Sequence, residues 1–171
     1  MNIQVKTVYS QPALTAMARG LRKTVRRKRS RRSHVLGFGL TALALLLGAV
    51  DLLTEPSWVG GVDLALAALL LAVLLTEDWI NGFLAGRKMM PGSRESETVF
   101  TDADYVTTVQ TAQTRWTYEG VRAIAEGRDY LVLALGPRHA QVFDKRGIAG
   151  GEEEALRSLL REKTGLPITN M

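Results

Sequence analysis

Two long apolar runs lie almost end to end in this chain of 171 residues, and they constrain the fold more than anything else in it. The first goes from Val35 to Val50, 16 residues with no charge, and Leu52 and Leu53 extend it past Asp51. The second goes from Trp58 to Thr76 and carries one acid, Asp63. At about 1.5 Å per residue, either run as a helix covers roughly 28 Å, close to the hydrocarbon thickness of a bilayer. Runs so uniformly Leu and Ala leave no polar face for water. A helix keeps its backbone hydrogen bonds internal, so each segment can enter lipid. Thr54-Glu55-Pro56-Ser57 separates them, room only for a tight turn between antiparallel helices. The expectation is a two-helix transmembrane hairpin over 34–86.

Charge orients it. The net charge is +5, yet nine of the 22 Lys and Arg residues fall between Arg19 and Arg32. Arg26, Arg27, Lys28, Arg29, Arg31 and Arg32 precede the first run, Arg87, Lys88 and Arg94 follow the second, and the turn has no basic residue. The positive-inside rule then places both termini in the cytoplasm and the Glu55 turn outside. The six residues of the tract are the candidate contacts to anionic lipid headgroups, each contributing on the order of 1 kcal/mol at such a surface. No RNA- or DNA-binding module surrounds them, so no nucleic-acid partner is expected. The tract starts too far into the chain, and the apolar run is too long, for a cleaved signal peptide. Asp51 and Asp63 lie at the turn end of their helices, the outer interface, and a proton or cation site would belong nearer the middle.

Upstream, residues 1–33 read as a strand, an amphipathic helix and the basic tract. Ile3, Val5 and Thr7 alternate with polar neighbours. Ser10 suits an N-cap and Pro12 a first turn. Leu14, Met17, Ala18, Leu21 and Val25 share one helical face. That face fits the inner leaflet and the surface of a soluble domain equally well.

Downstream, periodicity changes from helix to strand. Strands are predicted near Glu97–Thr101, Tyr105–Gln110, Gln113–Thr117, Val121–Glu126, Tyr130–Leu135 and Ala140–Asp144, with turns at Thr101–Asp104, Glu119-Gly120, Gly127–Asp129 and Gly136-Pro137. A helix follows Gly150-Gly151, with Glu152, Glu153 and Glu154 in its first turn, Ala155, Leu156, Leu159 and Leu160 as its buried stripe, and Gly165 and Pro167 ending it. Seven antiparallel strands and one helix give an α+β domain with a pleckstrin-homology-like count: an antiparallel β-barrel or sheet capped by a C-terminal helix, the hairpin inserted after the first strand.

The stretch Tyr118-x-x-Val121-x-x-Ile124-x-Glu126-x-x-Asp129-Tyr130-x-x-Leu133 resembles the core of the YcxB-like C-terminal domain. Val142-Phe143-Asp144-Lys145 and Gly151-x-x-x-Ala155-Leu156-x-x-Leu159-Leu160-x-x-Lys163 carry the same resemblance, which covers about residues 96 to 163. Ile148 departs from it, since an aromatic residue is expected there. The resemblance implies a membrane-anchored cytoplasmic domain, here 95–171, without an assigned reaction.

The chemistry-bearing residues do not assemble into a reaction centre. There are no cysteines, which excludes a disulfide framework, a thiolate zinc site and a cysteine nucleophile. His34 and His139 have no matched partners and read as turn or boundary residues rather than metal ligands. Asp102 and Asp104 lack the remaining spacing of a calcium loop and read as a turn. Ser93, Ser96 and Ser158 have no nucleophile-elbow context, and no phosphate-binding glycine loop occurs. Trp116, Tyr118 and Tyr130 read as core or cross-strand residues. No catalytic residue, metal ligand or cofactor is expected. The leading expectation is a non-enzymatic, membrane-tethered binding or scaffold module, its partners being anionic headgroups and a protein, self included. An immunity or self-resistance protein against a membrane-active peptide or toxin, and a small transporter or channel subunit, are the alternatives.

Overall fold

The computed structural model describes residues 2–54 and 58–171. The Glu55-Pro56-Ser57 part of the expected turn lies outside the described residues. The chain forms two compact units: residues up to Arg27 with Asp78–Met171, and Lys28–Glu77.

The second unit is made of two helices long and apolar enough to span a membrane, α2 (Arg27–Thr54) and α3 (Trp58–Arg87), which runs on into the first unit. α2 begins at Arg27, so the basic tract from Arg27 onward is helical and continuous with the first apolar run. The helices pack antiparallel through glycines. A Cβ on Gly48 would sit 3.0 Å from the Gly60 carbonyl oxygen, and one on Gly37 would sit 2.7 Å from Leu74. Backbones approach this closely only where side chains are small, the packing that helices use in lipid. Many of the large apolar side chains point the other way: Val35 is 65 % exposed, Leu46 64 % and Leu75 71 %. Hydroxyls are satisfied within their own helix, Thr41 on the Gly37 carbonyl at 2.9 Å and Thr76 on that of Ala72 at 2.6 Å. His34 lies inside α2, at the boundary just before the first apolar run, within reach of the Ser30 carbonyl (3.0 Å) and the Glu77 carboxylate (3.4 Å).

The first unit is an α+β domain of two four-stranded sheets. One has the order β1 (Ile3–Val8), β2 (Glu95–Phe100), β3 (Tyr105–Val109), β4 (Ala112–Trp116), antiparallel throughout. β1 pairs with β2 in register from Ile3↔Phe100 to Val8↔Glu95. The strand before the apolar helices thus completes the sheet that follows them. The other sheet has the order β7 (Ala140–Asp144), β6 (Tyr130–Ala134), β5 (Ala123–Glu126), β8 (Ile168–Asn170), with β8 parallel to β5.

The expected barrel does not close. β5 has its two edges occupied by β6 and β8, so β4 has no strand to join across the gap, and Ala112 to Arg115 stay exposed. The sheets are hydrogen-bonded to one another at the corner between β1 and the end of β7, through a Val5↔Ile148 bridge and the Asp144 amide donating to the Thr7 hydroxyl at 3.2 Å.

Between the sheets lies the main core: Ile3, Val5, Phe100, Tyr105, Ile124, Leu133 and Phe143. Helix α4 (Glu153–Thr164) closes it with Leu156, Leu159 and Leu160, each contributing about 2 kcal/mol by burial. Gly165, at φ 65°, takes the left-handed cap that ends α4.

Helix α1 (Gln11–Lys23) resolves the open choice about its apolar face. Ala13 and Met17 pack with Ala125, Val132 and Val142 on the outer face of the second sheet. Leu14 lies against Gly82 and Gly86 of α3. Ser10 occupies the N-cap position but its side chain caps nothing, and Val25 lies beyond the helix end.

Candidate functional site

Five of the six candidate basic residues, Arg27, Lys28, Arg29, Arg31 and Arg32, occupy the first turns of α2 and are exposed. No acid lies in that first turn. A helix N-terminus disfavours cations, and Arg27/Arg31 and Lys28/Arg32 are like-charge pairs at i,i+4. At about 100° per residue the five side chains spread over roughly 200° of the circumference. The five therefore form a collar around the helix rather than one face of it. Arg26 stands apart: its guanidinium donates to the Pro137 carbonyl in the β6–β7 turn at 2.5 Å.

A second constellation was not singled out from sequence. Asp78, next to the end of the apolar run of α3, is only 8 % exposed. Arg22 grips it with a two-pronged fork, Nε to Oδ1 at 2.7 Å and Nη2 to Oδ2 at 2.6 Å, and Arg19 adds Nε at 3.4 Å. Gln11 donates to the Trp79 carbonyl at 3.0 Å. These bonds fasten α1 along the final turns of α3, and Gly82 permits the approach, since a Cβ there would lie 2.7 Å from the Thr15 amide nitrogen. The signal in the sequence was the acid pair Glu77-Asp78 beside an apolar run, with nothing to say that two arginines 56 and 59 positions before Asp78 would reach it.

Beside this fastening is a cavity of about 480 Å³, walled by α1, Trp79, the β5–β6 turn and Met171. Thr15, Arg19, Arg128, Asp129 and Tyr130 also line it.

The third cluster is structural. Glu126 at the end of β5 meets Lys145 and Arg157, and Glu153 meets both cations in turn. Burial alone would raise the Glu126 pKa, but hydrogen bonds from Arg157 and Lys145 outweigh it and hold the carboxyl below its ordinary value. A carboxylate lowered in the folded state adds stability above the unfolded pKa and loses it as pH falls through the folded one. Acidification from about neutral to about pH 3 should therefore lower the thermal midpoint less in Glu126→Gln than in the wild type, across the range where glutamate titrates. Parallel curves for the two proteins would show that Glu126 does not contribute.

The aromatic residues lie as the sequence predicts. Trp116 faces Tyr105 across β3–β4, ring centres 6.5 Å apart. Tyr118 is buried, donates to the Thr101 carbonyl at 2.6 Å, and has its pKa pushed up to about 12 by burial and then by Asp104. Thr101–Asp104 is a turn in which the Thr101 hydroxyl accepts from the Ala103 and Asp104 amides. His139 is exposed in the β6–β7 turn. Among the described residues no three His, Cys, Asp or Glu side chains gather in a metal-holding group.

Residues 100–160, from the end of β2 into α4, match the YcxB-like protein family. That is the family the motifs around Tyr118, Val142 and Gly151 resemble. No curated protein and no solved structure matches the chain.

Proposed function

We propose that this chain, YcxB-like over residues 100–160, is a two-span protein of the cell membrane. Both termini are cytoplasmic, and its pleckstrin-like domain is a tethered, non-enzymatic binding module. The pairing of β1 with β2 carries the reading. A sheet forms on one side of a bilayer, so Ile3–Val8 and Glu95–Phe100 must share a side, and the chain between them must cross an even number of times. Two helices of spanning length supply two crossings, with lipid covering their exposed leucines. The collar at Arg27–Arg32 sits where cytoplasmic anionic headgroups would offset its self-repulsion. The pleckstrin-like reading is supported by the order of a four-strand meander, then the three-strand meander β5–β7, then a helix covering the core. The partners it implies are anionic lipid and a protein, a second copy included.

Cysteine labelling tests the topology. Ser57→Cys should react with an impermeant maleimide in intact cells, while Ser10→Cys and Ser158→Cys should react only after lysis. Labelling of the position-158 variant in intact cells overturns the reading. Changing Arg27, Lys28, Arg29, Arg31 and Arg32 together to Gln should produce mixed orientation, seen as partial labelling at position 158, because the charge bias that sets the first helix is then lost.

A further inference from the structure

We infer that the cavity between α1, Trp79 and the β5–β6 turn is a site for one phosphodiester group, carried by the headgroup of a membrane phospholipid. The inference rests on the two-span reading and supplies a ligand for it. Trp79 follows the last residue of the apolar run, Thr76, by three positions, and an indole there belongs at headgroup depth. Trp79, 52 % exposed, stacks on Phe83 at 5.7 Å, which steadies the indole beside the cavity.

The polar side suits a phosphate. Arg22 already satisfies both Asp78 oxygens, and Arg19 holds one long contact to them, leaving donors of its guanidinium unused among the described residues. Arg128 is exposed and has no ion-pair partner among the described residues. Two guanidiniums on one cavity match the oxygens of a phosphate. Asp129 on the same lining repels a second negative charge, which favours a singly charged diester over a doubly charged monoester.

The test uses the full chain in detergent micelles titrated with phosphatidylglycerol, with retained lipid counted by native mass spectrometry. Wild type should keep one lipid per chain. Arg128→Gln should weaken retention roughly tenfold, the loss expected for one charge-assisted donor, and Arg19→Gln/Arg128→Gln further. Arg128→Gln should keep the wild-type thermal midpoint, because Arg128 holds no element in place. Millimolar inorganic phosphate should not displace the lipid. Equal retention by Arg128→Gln overturns the site, and displacement by phosphate assigns it to a free anion instead. Both failures leave a chain that still fractionates with membranes. Wild type found outside the membrane fraction defeats the two-span reading itself.

Discussion

Gly147→Val should destabilise the domain more than the same change at any other glycine. Gly147 ends the short turn Lys145–Gly147 after β7, and a Cβ built there falls on the carbonyl oxygen of Lys6 in β1. The obstacle is backbone, so no side chain can swing aside. Nor can β1 retreat freely: it is registered with β2 along its length, and Val5 is bridged to Ile148. Overpacking against fixed backbone costs about 3 kcal/mol or more, a large share of the roughly 5–15 kcal/mol that holds a domain together. The thermal midpoint of the detergent-solubilised chain should fall well below wild type, and protease should release the N-terminal strand. Gly120→Ala is the control, because a Cβ at Gly120 meets nothing within 4 Å. It should stay within about 0.5 kcal/mol of wild type, as ordinary surface changes do. Equal midpoints for Gly147→Val and Gly120→Ala would mean that β1 does not dock at the corner where the sheets meet.

Asp78→Ala should detach α1 from the final turns of α3. The substitution leaves Arg22 and Arg19 facing a site from which their counter-charge has gone. Breaking a fully buried pair costs several kcal/mol; here both arginines keep some access to water, so about 2 kcal/mol is expected. Trypsin cleavage at Lys23 and Arg26 should accelerate relative to the core. Asp78→Ala/Arg22→Met should recover part of the loss, because the stranded charge is removed and methionine can pack. A double-mutant cycle isolates the pair from the packing around it. Strictly additive single and double changes would show that Arg22 and Asp78 do not support one another. Gly82→Leu attacks the same joint by sterics alone and should accelerate the same cleavages, since its Cβ would meet the Thr15 backbone.

Most strands were readable because their residues alternate and their turns are chemically distinct. Thr101–Asp104 carries its own hydroxyl-to-amide bonds, and Tyr130–Ala134 and Ala140–Asp144 are bounded by turn residues. β8 was missed. Ile168–Asn170 is three residues long, follows Gly165 and Pro167, and is a strand only because β5 offers a parallel edge. The candidate tract was legible as charge density. Its division, five residues on the collar and Arg26 held by Pro137, was not, since that bond joins positions 111 apart.

Length, apolar runs and period determined the two long helices, the insertion of the hairpin after the first strand, and the stripe that α4 buries. These are local properties: a helix or strand reports in its own repeat which face must leave water. Only the tertiary structure decided what covers each face. It put the apolar side of α1 on the second sheet and on α3, set β8 where a barrel would have closed, and brought Arg22 to Asp78. Periodicity can specify that a surface is buried, but the partner is chosen by edges, volumes and charges that lie far apart in the chain and meet only when it folds.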